Sequence, residues 1–226
     1  MKIKICGITA LDDALAAVDA GADMLGFNFY PQSPRFIDPA TCARVVSRLR
    51  NRDPKVTLVG VFVNATPKFV VATLDACNLD YAQLHGDEPP EDLAALAPWA
   101  FKAIRPASTE EARRLALAYA PPAPDGHETL VPDPERPAFL LDASVRGQFG
   151  GTGQVADWGM ARVLARRWPI LLAGGLGPDN VAAAVAAVHP WGVDVASGIE
   201  ASPGKKDPAK MRAFIEAARS GKEVSE

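Results

Sequence analysis

Eight short apolar segments divide the 226 residues into units of about 28, and this rhythm constrains the fold more than any other feature. They fall at residues 2–6, 23–27, 56–62, 80–84, 101–104, 138–142, 170–173 and 193–196. Several are continuous, as in LVGVFV at 58–63, the pattern of parallel strands buried on both faces. Ala-rich stretches of helical spacing lie between them. In the last, Met211, Phe214, Ile215 and Ala218 stand at i, i+3, i+4 and i+7. Asp38-Pro39, Thr66-Pro67 and Asp207-Pro208 each set a capping side chain before a proline suited to a first helical position. Thr9 with Asp12 resembles a capping box, and Gly21 and Gly221 suit left-handed helix ends.

Eight strands alternating with eight helices predict a (β/α)₈ TIM barrel in the α/β class, close to that fold's ~250-residue size. The expectation is a single domain over 1–226. A doubly wound sheet also reads βαβα, but it usually has fewer strands and often a GxGxxG turn after the first. Here that turn is Cys6-Gly7-Ile8-Thr9, and the glycine pairs come late. One stretch breaks the rhythm. Residues 120–137 (APPAPDGHETLVPDPERP) hold six of the twenty prolines. We read them as a surface insertion between helix five and strand six, on the face opposite a barrel's catalytic rim.

The formal net charge of −3 argues against nucleic acid as the main partner. No apolar run approaches the ~20 residues of a membrane span. The amino terminus starts directly on a strand, without a basic-then-apolar leader. The three cysteines, with no secretory signal, read as thiols of a reducing compartment, so a cytoplasmic location is expected. No CxxC pair occurs, and three scattered histidines give no metal-ligand spacing.

In a barrel the chemistry gathers at the carboxyl ends of the strands. Read in order, those ends carry Cys6, Asn28 with Arg35, Asn64, His85, Arg105, Asp142, Gly174-Gly175 and Ser197-Gly198. Gly150-Gly151-Thr152-Gly153, Gly174-Gly175 and Ser197-Gly198 follow strands six, seven and eight, and Gly177 follows closely on the second. Glycine lets backbone N–H groups approach an anion, and the loops after strands seven and eight form this fold's recurrent phosphate site. Gly151, Gly153, Gly174, Gly175, Ser197 and Gly198 are therefore the expected phosphate grip; otherwise such glycines make tight turns.

Asp142 ends a deep apolar run, where lost hydration favours a protonated carboxyl and a proton-donor role. A structural aspartate bonding the next loop would look the same. Cys6 is either a buried small hydrophobe or a thiolate held by nearby positive charge. Cys42 and Cys77 fall in helices and read as packing residues. Pro31 and Pro34 stiffen the loop that carries Arg35, which suits a guanidinium fork reading a carboxylate, or a solvated surface arginine. Asp194, in strand eight, either holds that arginine or is an interior polar residue.

Taken together, the motifs Lys4-Ile5-Cys6-Gly7-Ile8-Thr9, Ser33-Pro34-Arg35, Gly60-Val61-Phe62-Val63-Asn64, Gln83-Leu84-His85-Gly86 and Leu140-Leu141-Asp142 are distinctive. With Gly150-Gly151-Thr152-Gly153, Ala173-Gly174-Gly175 and Asp194-Val195-Ala196-Ser197-Gly198-Ile199-Glu200, the chain resembles the phosphoribosylanthranilate isomerases of tryptophan biosynthesis. The match runs nearly end to end. The resemblance implies an Amadori rearrangement of N-(5'-phosphoribosyl)anthranilate with no metal, flavin or nicotinamide. It makes Cys6 the general base, Asp142 the general acid and Arg35 the reader of the anthranilate carboxylate. Asp194 would steady Arg35, and His85 would touch the substrate. Ala196 departs from the family's usual serine. The implied partner is a small phosphorylated molecule, not nucleic acid or membrane, met by a monomer or homodimer. Rival readings are a related phosphate-gripping barrel enzyme and a barrel that binds such a metabolite without turning it over. Of the rival enzymes, the histidine-pathway isomerase is expected to carry aspartate where Cys6 stands.

Overall fold

The computed structural model describes residues 1–53, 55–120, 136–142 and 158–223. Eight parallel strands close into a barrel in sequence order. They are β1 (Lys2–Cys6), β2 (Met24–Asn28), β3 (Thr57–Phe62), β4 (Tyr81–Leu84), β5 (Ala100–Ile104), β6 (Phe139–Asp142), β7 (Ile170–Ala173) and β8 (Gly192–Val195). Each falls within one residue of its expected bounds. The ring closes where β8 pairs with β1, with Lys4 in register with Asp194. The alternating helices are α1 (Leu11–Asp19), α2 (Pro39–Arg52), α3 (Pro67–Cys77), α4 (Pro90–Ala95), α5 (Thr109–Tyr119), α6 (Trp158–Ala165), α7 (Val181–Val188) and α8 (Pro208–Glu223). Of the proline-rich segment, residues 121–135 lie outside the described residues; α5 precedes it and β6 follows it.

Two apolar layers explain the continuous hydrophobic runs. One set of strand residues, including Ile3, Ile5, Leu25, Phe27, Leu58 and Phe62, belongs to the large cluster that meets the helices. The alternate set, Met24, Val59, Phe101, Ala103, Leu140, Leu171 and Ala173, forms a separate cluster inside the barrel. A fully buried Leu or Phe contributes about 1.5–3 kcal/mol relative to exposure, so both layers stabilise the fold.

Local signals account for most helix ends. Asp38 and Thr66 cap α2 and α3 by accepting from the Thr41 and Phe69 amides, each with proline at the first helical position. Asp207 accepts from the amides of Ala209 and Lys210 at the start of α8. Gly21, at φ +96°, follows α1 as expected. Two signals are corrected. Thr9 does not cap α1, whose N-cap is Ala10; its hydroxyl instead donates to the Gly204 carbonyl at 2.7 Å. Gly221 lies inside α8 and ends nothing: a Cβ there would stand 2.6 Å from the Ala182 carbonyl oxygen of α7, so the glycine permits close helix packing.

Closure of the ring depends on one small residue. A Cβ on Gly192 would lie 2.6 Å from the Lys2 carbonyl oxygen and 3.1 Å from Leu171 Cδ1. Backbone cannot yield as a flexible side chain does, so Gly192→Ala should destabilise the protein by about 1–3 kcal/mol, the usual cost of overpacking. Urea unfolding of the two proteins measures this directly.

Candidate active site

Lys4 sets the floor of the site. Its side chain is fully buried inside the barrel, and its ammonium donates to Asp194 Oδ1 at 2.7 Å and Gln83 Oε1 at 2.9 Å. Because strand side chains alternate, Cys6 faces the same interior two residues closer to the carboxyl rim. Gly26 stands beside Cys6 in register on β2. A Cβ there would come within 2.8 Å of Cys6 Sγ and 3.2 Å of Lys4 Cε, so only glycine leaves the space both use. Burial pulls the Lys4 ammonium down, yet Asp194 and Cys6 outweigh it and hold Lys4 above its ordinary value. For Cys6, burial pushes the thiol up; Lys4 and Lys206 pull against this, Asp194 adds to it, and the net direction is up.

Arg35 is braced from both sides. Asn28 Oδ1 accepts from the Tyr30 amide at 2.8 Å while its Nδ2 donates to Ser33 Oγ at 3.2 Å. Ser33 Oγ in turn accepts from the Arg35 amide at 3.1 Å. Gly7, at φ +77°, leaves room for the arginine stem, since a Cβ there would reach 2.5 Å from Arg35 Cδ. The guanidinium fork then meets Glu200, with Nε and Nη2 each 2.7 Å from a carboxylate oxygen. This corrects the expected partner: Asp194 is taken by Lys4, and Glu200 steadies Arg35.

Glu200 opens a short antiparallel hairpin, β9 (Glu200–Ser202) and β10 (Lys205–Lys206), that the sequence reading did not foresee. The buried Lys206 ammonium donates to Glu200 Oε1 and to the Ala196 carbonyl, both at 3.0 Å. Burial pushes the Glu200 carboxyl up, but the bonds from Arg35 and Lys206 outweigh it and hold it below the usual carboxylate range. Around Cys6 the cations Lys4, Arg35 and Lys206 thus face two carboxylates, Asp194 and Glu200. A Cys6 thiolate would be the third anion, matching charge to charge.

His85 follows β4, and its Nδ1 lies 2.7 Å from Gln83 Nε2. Burial drives its imidazole from 6.5 to about 4; Asp142 and Asp194 resist this, and Arg105 and Lys4 reinforce it. The same interactions place Asp142 and Asp194 electrostatically at His85, so the ends of β4 and β6 share one rim with β8. Arg105, exposed, donates to the His85 carbonyl at 3.4 Å. Asn64 has a different use from the one its rim position suggested. Its Oδ1 accepts from the Asp87 amide, and Glu88 accepts from the Asn64 and Gly86 amides, tying the loops after β3 and β4 together. Lys102 of β5 completes this buried brace with a 2.9 Å bond to Glu88. Cys42 and Cys77 are buried, with thiols raised by burial.

The two glycine loops meet at the far side of the rim. Gly174 and Gly175 have φ of +102° and +65°, and among the described residues no heavy atom beyond the chain neighbours lies within 4 Å of where a Gly175 Cβ would be. A Cβ on Gly198 would run into the Leu176 carbonyl and approach Gly177 Cα to 3.1 Å, so the loops after β7 and β8 touch. Ser197 begins a 3-10 turn there (Ser197–Ile199). Gly151 and Gly153 lie outside the described residues. Among the described residues no group of three or more His, Cys, Asp or Glu could hold a metal ion, and no helix is long and apolar enough to cross a membrane.

A closed parallel barrel whose strand ends collect a thiol, a carboxylate, an imidazole and a braced guanidinium belongs to the (β/α)₈ enzymes that work on small molecules at the carboxyl rim. The profile of the N-(5'-phosphoribosyl)anthranilate isomerase family matches residues 3–217. The enzyme of that name from Magnetococcus marinus is 47% identical over 219 residues, 97% of this chain and 95% of its own. A crystal structure of phosphoribosyl anthranilate isomerase from Thermotoga maritima superposes with TM-score 0.83 at 36% identity, covering 97% of this chain and 98% of that one. A structure of phosphoribosyl anthranilate isomerase in complex with reduced 1-(o-carboxyphenylamino)-1-deoxyribulose 5-phosphate gives 0.79 at 36% identity, with the same coverage. Another, described as monomers generated from the dimeric T. maritima enzyme, gives 0.78 at 35% with the same coverage. The chain belongs to the phosphoribosylanthranilate isomerase family, and it is an aldose–ketose isomerase of tryptophan biosynthesis.

The depressed His85 value has a consequence for stability. The unfolded chain binds a proton near pH 6.5 and the folded chain only near 4, so this contribution is complete above 6.5 and is lost as pH falls through 4. His85→Gln should therefore flatten the decline in unfolding free energy across that window. Urea titrations at several pH values measure it; an unchanged slope would show that His85 is not the group responsible.

Proposed function

We propose that the rim performs the Amadori rearrangement of N-(5'-phosphoribosyl)anthranilate by general acid–base catalysis, with Asp142 and Cys6 as the proton-transfer pair. Asp142 protonates the ribose ring oxygen as its bond to C1' breaks, and the anilino nitrogen supplies the electron pair that forms the C1'=N⁺ iminium. That cation acidifies C2'–H, which the Cys6 thiolate removes to give the enolamine. Return of a proton to C1' and loss of the C2' hydroxyl proton yield 1-(2-carboxyphenylamino)-1-deoxyribulose 5-phosphate. No atom is gained or lost overall.

The observation that carries this reading is the surplus cation around Cys6: Lys4, Arg35 and Lys206 against Asp194 and Glu200. Burial and Asp194 push the thiol up, Lys4 and Lys206 pull against them without reversing the direction, and the third cation is the group a thiolate would pair with once the proton leaves. Arg35 commits Nε and one face of Nη2 to Glu200, leaving the rest of its fork for the anthranilate carboxylate. Gly174, Gly175, Ser197 and Gly198 grip the phosphate from two touching loops, with Gly151 and Gly153 completing it. His85 and Asp194 bound the ribose between them. The chain works as one domain in the cytoplasm, as a monomer or homodimer, on this small phosphorylated substrate alone and without a cofactor.

The disappearance of phosphoribosylanthranilate fluorescence on adding the protein tests the activity itself. Cys6→Ser and Asp142→Asn should each lower kcat by about 10²–10⁴-fold with substrate binding largely kept. Near-wild-type turnover in either removes that residue from the mechanism. Arg35→Met should weaken binding of carboxylate-bearing product analogues by about 1.5–3 kcal/mol and leave inorganic phosphate binding unchanged. Calorimetric titration with both ligands separates the outcomes, and equal losses would make Arg35 a support of the fold.

A further inference from the structure

We infer that Lys4 and Gln83 are positioning residues that lock His85 as a neutral imidazole with its proton on Nε2, a fixed hydrogen-bond donor to a substrate oxygen. This rests on the proposed function for the identity of the substrate but on geometry alone for the lock. Three contacts form the lock. Lys4 Nζ stands 2.7 Å from Asp194 Oδ1 and 2.9 Å from Gln83 Oε1, and Gln83 Nε2 stands 2.7 Å from His85 Nδ1. An ammonium has only donors, so the atom of Gln83 facing it must be the amide oxygen. The amide nitrogen then faces His85, and it too can only donate. Nδ1 must accept, which leaves the proton on Nε2.

Protonating Nδ1 would set two donors against each other, and the amide cannot rotate to relieve them without turning its NH₂ onto Lys4. Lys4 is fully buried and Gln83 1% exposed, so water does not compete for these bonds. Among the described residues the charged groups acting on the ring are Asp142 from β6, Arg105 after β5, Asp194 from β8 and Lys4 from β1, with burial the dominant influence, and together they leave the imidazole uncharged near neutrality. Gln83 lies two residues deeper on β4, so the bond to Nδ1 leaves Nε2–H on the side of the mouth. A neutral imidazole N–H can hold a sugar oxygen but is far too weak an acid to protonate it. The lock therefore divides labour: His85 orients the ribose, and Asp142 alone delivers the proton.

The test is the tautomer itself, read by long-range ¹H–¹⁵N correlation of the imidazoles in the full chain, with His85 assigned from its absence in His85→Asn. Wild type should show a neutral Nε2–H ring that does not titrate between about pH 6 and pH 8. In Gln83→Glu the carboxylate accepts from Lys4 and from Nδ1–H, so the ring should gain a proton on Nδ1 and titrate at higher pH. Above that new value the neutral ring keeps its proton on Nδ1 and Nε2 loses its own. The ratio of kcat/KM to wild type should then fall by about 10- to 100-fold, the loss of one substrate hydrogen bond, and recover as pH falls. A wild-type ring that is charged or carries its proton on Nδ1 overturns the lock, as does a Gln83→Glu spectrum identical to wild type. Should Gln83→Glu not fold, the wild-type spectrum decides. Isomerisation by a protein with the wrong tautomer defeats this inference alone. The expected tautomer in a protein without isomerase activity upholds the lock and defeats the proposed function.

Discussion

A lysine ammonium sealed inside the barrel is the constraint on which the site depends. Removing such a charge from water costs several kcal/mol, and it is tolerable only with excellent partners. Asp194 supplies the opposite charge at 2.7 Å and Gln83 a carbonyl at 2.9 Å. Taking away either would leave Lys4 undersatisfied in a dry interior, a loss of about 3–5 kcal/mol for the charged partner. A hydrophobic residue at position 4 would pack there more simply. What the ion pair provides is a fixed positive charge below Cys6 and a fixed carbonyl-seeking donor below Gln83, so the thiol and the imidazole both stand over one buried nitrogen.

The hairpin of β9 and β10 repeats this logic at the rim. Glu200 receives both Arg35 and the buried Lys206, and Gly204 at its turn accepts from Thr9 while lying so close to Pro34 that a Cβ would stand 2.7 Å from the Pro34 carbonyl oxygen. The loop after β2 is therefore set by the far end of the chain as much as by its own prolines. The guanidinium is held in one orientation by the protein's own contacts.

The barrel was legible because its signals are local and repeated. Eight apolar runs and proline-preceded caps each report on their own few residues, and all point to the same fold. The placing of Cys6 and Asp142 at strand ends, and of Arg35 in the loop after β2, was legible in the strand pattern. The partners of those residues were not. Lys4 alternates with Ile3 and Ile5, which reads as a strand with a solvated face; in a closed barrel that face is the interior, and the alternation was the available clue. Glu200 and Lys206 flank a Ser202-Pro203-Gly204 turn, a hairpin signal hidden among short segments after the eighth strand. The family resemblance implies Asp194 as the partner of Arg35, but pairing is decided by side-chain direction, and Lys4 faces Asp194 in register. The capping box at Thr9 failed similarly, since its hydroxyl found a carbonyl 195 residues away.

Those long separations bear on how the protein comes into being. Arg35 and Glu200 are 165 residues apart, and Lys4 and Asp194 are 190 apart. During synthesis the first strand leaves the ribosome with an ammonium that has no buried partner, and the ring cannot close until the eighth strand follows. A half-made barrel exposes its β1 edge and an unneutralised charge, which disfavours premature collapse around the wrong neighbour. The price in folding speed is the slow search characteristic of distant contacts. In return, the pocket is completed last: Cys6 meets the cations around it only when the scaffold is finished.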